Sequence, residues 1–215
     1  MNLSISKFWV ARPVDANAAE TRRAILRAAV ATFGEVGFDG ATVRNIADAA
    51  GISFATVHHY FGTKEALYDA CLDASFAELD EMGADVTRAV LEVPAGEGIR
   101  AGIRAAYGSA RAHPDRSRFL LRSFLFERRP RVRERHDAAQ RALVTSSAAL
   151  LGDDAAFGRR VPLVALGVLL TRFAVSAETE RALFAEETGD ADEAVVAYLV
   201  AVAEATLHVP TREVS

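Results

Sequence analysis

What most limits the folding options of this chain is a surplus of strong helix formers with few turn residues to interrupt them. Alanine fills 43 of the 215 positions, against 14 glycines and six prolines, and no segment shows the two-residue alternation of a half-buried strand. An all-α fold of about nine helices is expected. The length suits one large domain or two small ones, with enough chain to bury a core.

Local signals place the elements. Residues 1–16 read as a flexible arm. The pattern Asn17…Glu20 then resembles a capping box, Ile25, Ala29, Phe33 and Val36 recur at helical spacing, and Gly37 follows as a stop. Two short segments come next, Thr42–Ala50 and Ser53–Phe61, each opened by a hydroxyl residue suited to an N-cap and separated by Gly51. Thr63 caps a longer helix running to about Met82, with Leu67, Cys71 and Ala74 on one face. Later helices are expected over Ile99–Arg111, Asp115–Arg128, Val132–Leu151, Ala155–Ala177 and Asp190–His208, with His113-Pro114 and Arg129-Pro130 as breaks. The boundaries suggest a small helical unit over 17–62 and a larger helical domain over 63–215.

Charge is unevenly spread. Residues 1–70 carry seven basic and seven acidic side chains, 71–110 three against seven, 111–160 twelve against six, and 161–215 three against nine. Any affinity of the N-terminal third for nucleic acid must therefore come from the placement of a few groups. Cys71 stands alone, so no internal disulfide can form, and the apolar runs Val161–Leu170 and Ala194–Ala203 are too short to cross a bilayer. A cytoplasmic location is expected. His58 and His59 are neighbours on a helix and point about 100° apart, which does not suit one metal ion. No GxSxG, HExxH or Gly-rich phosphate loop occurs, so neither an enzyme nor a cofactor is expected.

The segment Thr42–Tyr60, TVRNIADAAGISFATVHHY, fits a helix-turn-helix position by position. Ile46 and Val57 take the inner apolar places, Ala47 stands where two helices must cross closely, and Gly51 supplies the turn. Residues 22–71, with the closing signature Tyr60-Phe61-Gly62-Thr63-Lys64-Glu65-Ala66-Leu67, resemble the tetracycline-repressor (TetR) family of one-component transcription regulators. The resemblance implies an N-terminal three-helix DNA-binding domain followed by a helical effector-binding and dimerisation domain. By position it implies that Phe54, Ala55 and His58 face base edges in the major groove, and that Thr56, His59 and Lys64 hold phosphates. Thr42 or Arg44 would reach the backbone from the first motif helix, and Ser53 and Tyr60 complete the candidate surface. Phe54 departs from the polar residue expected at a base-reading position and suits a thymine methyl.

Further expectations concern the rest of the chain. Phe76, Arg104, Tyr107, Phe119, Arg122, Phe126 and Phe173 are candidates to line a pocket for an apolar or aromatic effector. The basic run Arg128–Arg135 is read as a solvated face neutralised by Glu127, Glu134 and Asp137. Wide apolar stripes on the last two helices call for a homodimer, which would space two recognition helices to read a palindromic operator. The function expected is that of a repressor released by a small molecule; the alternative is a DNA-anchored adaptor whose helical domain binds a protein.

Overall fold

A computed structural model describes residues 14–94, 96–151 and 160–207. Ten helices and no strand occur among them: α1 (Val14–Gly40), α2 (Val43–Ala50), α3 (Phe54–Phe61), α4 (Lys64–Leu91), α5 (Gly98–Ala112), α6 (Pro114–Phe126), α7 (Pro130–Leu151), α8 (Arg160–Ala174), α9 (Glu178–Thr188) and α10 (Ala191–Leu207). The expected count of nine falls short by α9. Its sequence, ETERALFAEET, is largely charged, and one side chain, Phe184, brings it onto the core around α10.

Several boundaries differ from expectation for identifiable reasons. Helix α1 already runs from Val14, so Asn17 lies inside it, and it breaks at Gly37, whose φ of 77° and ψ of 179° are not helical. The remainder of the expected arm lies outside the described residues, as do residues 155–159 and His208. Val36 is exposed, unlike Ile25, Ala29 and Phe33. Helix α4 continues through Gly83 to Leu91 because its second half packs on α5. A Cβ on Gly102 would lie 3.0 Å from Val90, and one on Gly98 would lie 3.1 Å from it, so these glycines permit the close approach. Helix α6 stops at Phe126, where Glu127 turns extended.

The N-terminal helices are held by local chemistry. Thr42, Ser53 and Thr63 each accept a hydrogen bond from the backbone N–H three residues on, capping α2, α3 and α4. Each cap is worth about 1 kcal/mol. Gly51 takes the left-handed conformation (φ 66°) and its N–H returns to the end of α2, a geometry that a Cβ would oppose.

Two apolar cores form. The first joins Ile25, Ala29 and Phe33 of α1, Ile46 and Ala47 of α2, Val57 of α3, and Leu67, Tyr68, Cys71, Leu72 and Phe76 of α4; it also takes in Phe119 and Leu120 of α6 and Val132 of α7. The second joins Ile103 and Tyr107 of α5 to Leu163 and Ala174 of α8 and to the inner face of α10, centred on Leu199. Helices α1 and α6 meet closely: a Cβ on Gly34 would lie 3.1 Å from the Phe119 backbone nitrogen. No single described helix is long and apolar enough to cross a membrane.

Candidate nucleic-acid interface

Helix α3 has one covered face and one open face. Val57 is buried, and Tyr60 and Phe61 pack against the first core. At about 100° per residue, Phe54, Ala55, His58 and His59 share the opposite arc, and all four are exposed. Phe54 is 48% exposed, and its ring lies 6.2 Å from that of His58, one turn on. His59 meets the edge of Tyr60 at 5.7 Å. Phe54 and the two imidazoles thus form one accessible surface on α3.

The flanking groups are partly spent. Ser53 Oγ accepts from the Thr56 N–H at 3.0 Å and lies 2.8 Å from Thr56 Oγ1. Thr42 Oγ1 accepts from the Asn45 N–H at 3.1 Å. Arg44 stands exposed on α2. Ser53 and Thr56 stand at the N-terminus of α3, where partial positive charge and backbone donors favour an anion.

Lys64 is used differently from what its sequence position implies. Its ammonium donates to the carbonyls of Phe38 and Ala41, at 2.9 and 3.1 Å, and lies 4.3 Å from the Phe38 ring centroid. The charge ties the first residue of α4 to the end of α1. In this structure the half-buried ammonium, expected at a phosphate, is occupied by these contacts.

The seven expected effector residues do not converge. Phe119 is buried in the first core, its ring 5.2 Å from Tyr68 and 6.3 Å from Phe33. Phe76 borders the same core and meets the His136 ring at 5.1 Å. Tyr107 and Phe173 belong to the second core. The Tyr107 hydroxyl donates to Asp192 at 2.9 Å, and burial, then this hydrogen bond, pushes its phenol up to about 12. Arg104 is a surface side chain paired with Glu193. Phe126 is 71% exposed at the end of α6. Arg122 and Phe126 share a recess, an open crevice of about 290 Å³ between α1 and α6, lined also by Gly34, Glu35, Arg118, Leu121 and Leu125.

The basic run is neutralised mainly across helices. Arg131 pairs with Asp69 at 3.1 Å, Arg135 pairs with Asp73, and Arg129 pairs with Glu127 at 3.0 Å. Only Glu127 was expected in that role; Asp69 and Asp73 come from α4, about sixty residues away, where no local spacing could reveal them. Also missed was a network on α10, in which Arg181 donates to Asp192 at 2.7 Å. That hydrogen bond, against the opposing effect of burial, holds the Asp192 carboxyl below the usual range.

Comparison with known proteins finds relatives. Residues 25–71 match the family described as bacterial regulatory proteins, tetR family. Over 51 residues the chain is 47% identical to the HTH-type transcriptional regulator RutR of Escherichia coli strain K12, a match covering 24% of each protein. The chain thus spans about a quarter of the length of that curated relative. Among solved structures, a TetR-like transcriptional regulator from Rhodococcus sp. RHA1 superposes with a TM-score of 0.66 at 20% identity, covering 89% of this chain and 98% of that one. A chain from Streptomyces coelicolor described as a transcriptional regulator gives 0.62 at 26% identity over 88% and 99%. The N-terminal unit is thus similar to the tetR family of bacterial regulatory proteins over residues 25–71, and the fold is shared with solved structures along most of the chain.

Proposed function

We propose that the protein is a transcription regulator in the cytoplasm that binds operator DNA as a homodimer, represses, and is released by a small-molecule effector. The observation that carries the DNA-binding part is the open arc of α3, where Phe54, Ala55 and His58 stand clear on a capped helix whose other side is packed into the core. In this reading those three meet base edges, while Thr42, Arg44, Ser53, Thr56 and His59 approach phosphates, with the hydroxyls turning out from their local bonds. Tyr60 and Lys64 support the motif from behind.

Dimerisation is supported by α8. Leu163 and Ala174 are its buried residues, whereas Val161 is 77% exposed and Val164 and Val168 are half-buried. Helix α10, by contrast, buries Val195, Val196, Leu199, Val200 and Ala203 within the chain. The unpaired apolar surface thus lies more on α8 than on the last helix. A two-fold pairing there would set two α3 helices about one DNA turn apart, roughly 34–36 Å.

Selection of bound duplexes from a random pool, at stated salt, tests this reading. A palindromic winner with half-sites one turn apart is expected, and its affinity should fall when an effector found by thermal-shift screening is added. No enrichment of any duplex refutes DNA reading. Enrichment that no small molecule reverses refutes effector release and favours the adaptor.

A further inference from the structure

Three residues, Glu127–Arg129, connect α6 to α7 and touch the DNA-binding unit from outside it. The Glu127 carboxylate shapes the connection: one oxygen accepts from the backbone N–H groups of Arg128 and Arg129 at 2.9 and 3.2 Å, and the other accepts from the Arg129 guanidinium at 3.0 Å. Burial works to raise the Glu127 carboxyl, but these hydrogen bonds and the Arg129 charge together hold it below its usual range. So fixed, the Arg129 guanidinium lies 3.9 Å from the Phe38 ring centroid and 4.3 Å from that of Tyr68. The two rings stand nearly perpendicular, at 88°, and form a corner around the cation. Arg129 Nε is buried without a hydrogen-bond partner.

Phe38 is a consequential residue to hold. It follows the break at Gly37 and precedes by four residues Thr42, which caps α2. Its ring meets Arg129 from the linker and Lys64 from α4, while its carbonyl accepts from Lys64. Arg131 and Arg135 continue the grip along α4 through Asp69 and Asp73. Those pairs are solvent-exposed and individually weak; the cation enclosed by two aromatic rings is the strong member.

We propose that Arg129 is a positioning residue, a latch by which the α6–α7 linker fixes the end of α1 and the start of α4 and thereby sets the angle of the DNA-reading helices. The link to DNA affinity rests on the function proposed above; the link to local rigidity does not. Releasing the latch leaves the binding-competent arrangement populated only part of the time, which weakens all duplexes by the same factor.

The test uses the full chain with Arg129→Ala and Arg129→Lys, read by hydrogen exchange and by titration of the selected duplex across a salt series. In Arg129→Ala, exchange in peptides covering 36–45 and 63–70 should rise roughly five- to tenfold, and affinity should fall by a similar factor, as loss of an enclosed cation–aromatic contact implies. The slope against salt should stay unchanged because Arg129 holds no phosphate. Arg129→Lys, which keeps a cation on the rings, should recover part of both. Unchanged exchange in those peptides overturns the proposal, and so does a slope shallower by about one, which would make Arg129 a phosphate contact. Should Arg129→Ala not fold, Arg129→Lys decides: a rise confined to the two segments supports the latch, and no rise, or one spread over the chain, overturns it. If the wild-type chain selects no duplex, DNA reading fails while the exchange result still judges the latch.

Discussion

The two cores differ in what they join. The second joins α5, α8, α9 and α10, with Val144 of α7 at its edge, mostly through valine, leucine and alanine. The first is richer in aromatic rings and draws Phe119, Leu120 and Val132 from α6 and α7, which lie far beyond the helix-turn-helix in sequence. Phe33, Tyr68 and Phe119 form one set of edge and tilted contacts between 4.8 and 6.3 Å. The helices proposed to read DNA therefore share their interior with the domain proposed to bind the effector, so that a shift of α6 would be felt at α1. Coupling of this kind needs no separate relay, because one packed cluster serves both sides.

The contrast can be broken most forcefully at Phe119. Phe119→Ala should cost about 3–5 kcal/mol and raise hydrogen exchange in α1 and α4 although the substitution lies in α6; protection loss confined to α5–α10 would erase the distinction. Leu199→Ala, in the middle of the second core, should cost about 3 kcal/mol while sparing α1–α3 in the same measurement. A common loss of protection throughout would show one cooperative core instead of two.

The smallest effect sharpens the border between them. His136 of α7 lies between the edges of Phe76 and Phe124, with its Nε2 2.8 Å from Ser123 Oγ. Burial holds its imidazole below the usual range, and the charge of Asp137 opposes the shift. The unfolded chain then takes up the proton first as pH drops below about 6.5, so the stability this residue contributes is intact above that value and is lost as pH falls through the lower native one. Thermal midpoints of the wild type should accordingly fall between pH 7.5 and 5.5 (roughly one unit either side of the imidazole's ordinary range) by more than those of His136→Phe. Parallel curves would remove His136 from the account.

The comparison also explains what the sequence makes legible. Caps at Thr42, Ser53 and Thr63, the left-handed Gly51, and the inner places of Ile46, Ala47 and Val57 are all determined by neighbours within one or two turns, and each appears where the spacing predicts. The effector candidates rest on a different kind of inference. Phe119 and Phe126 lie seven residues apart, on nearly the same side of one helix, yet one is buried and the other is 71% exposed. Where the neighbouring helix ends is a tertiary fact that periodicity cannot carry. Arg129 was hidden for the same reason: its charge partner is two residues away, but its aromatic partners are Phe38 and Tyr68.

Lys64 has a consequence for chemical modification. It is one of only two lysines in the chain, the other being Lys7, and its amine is occupied by the Phe38 and Ala41 carbonyls. Acylating that nitrogen would remove the charge that pins the last turn of α1 and leave two carbonyls seeking new donors. On this scaffold lysine acetylation would therefore act as a lesion to architecture, in contrast to the charge masking it produces where an amine lies against a phosphate.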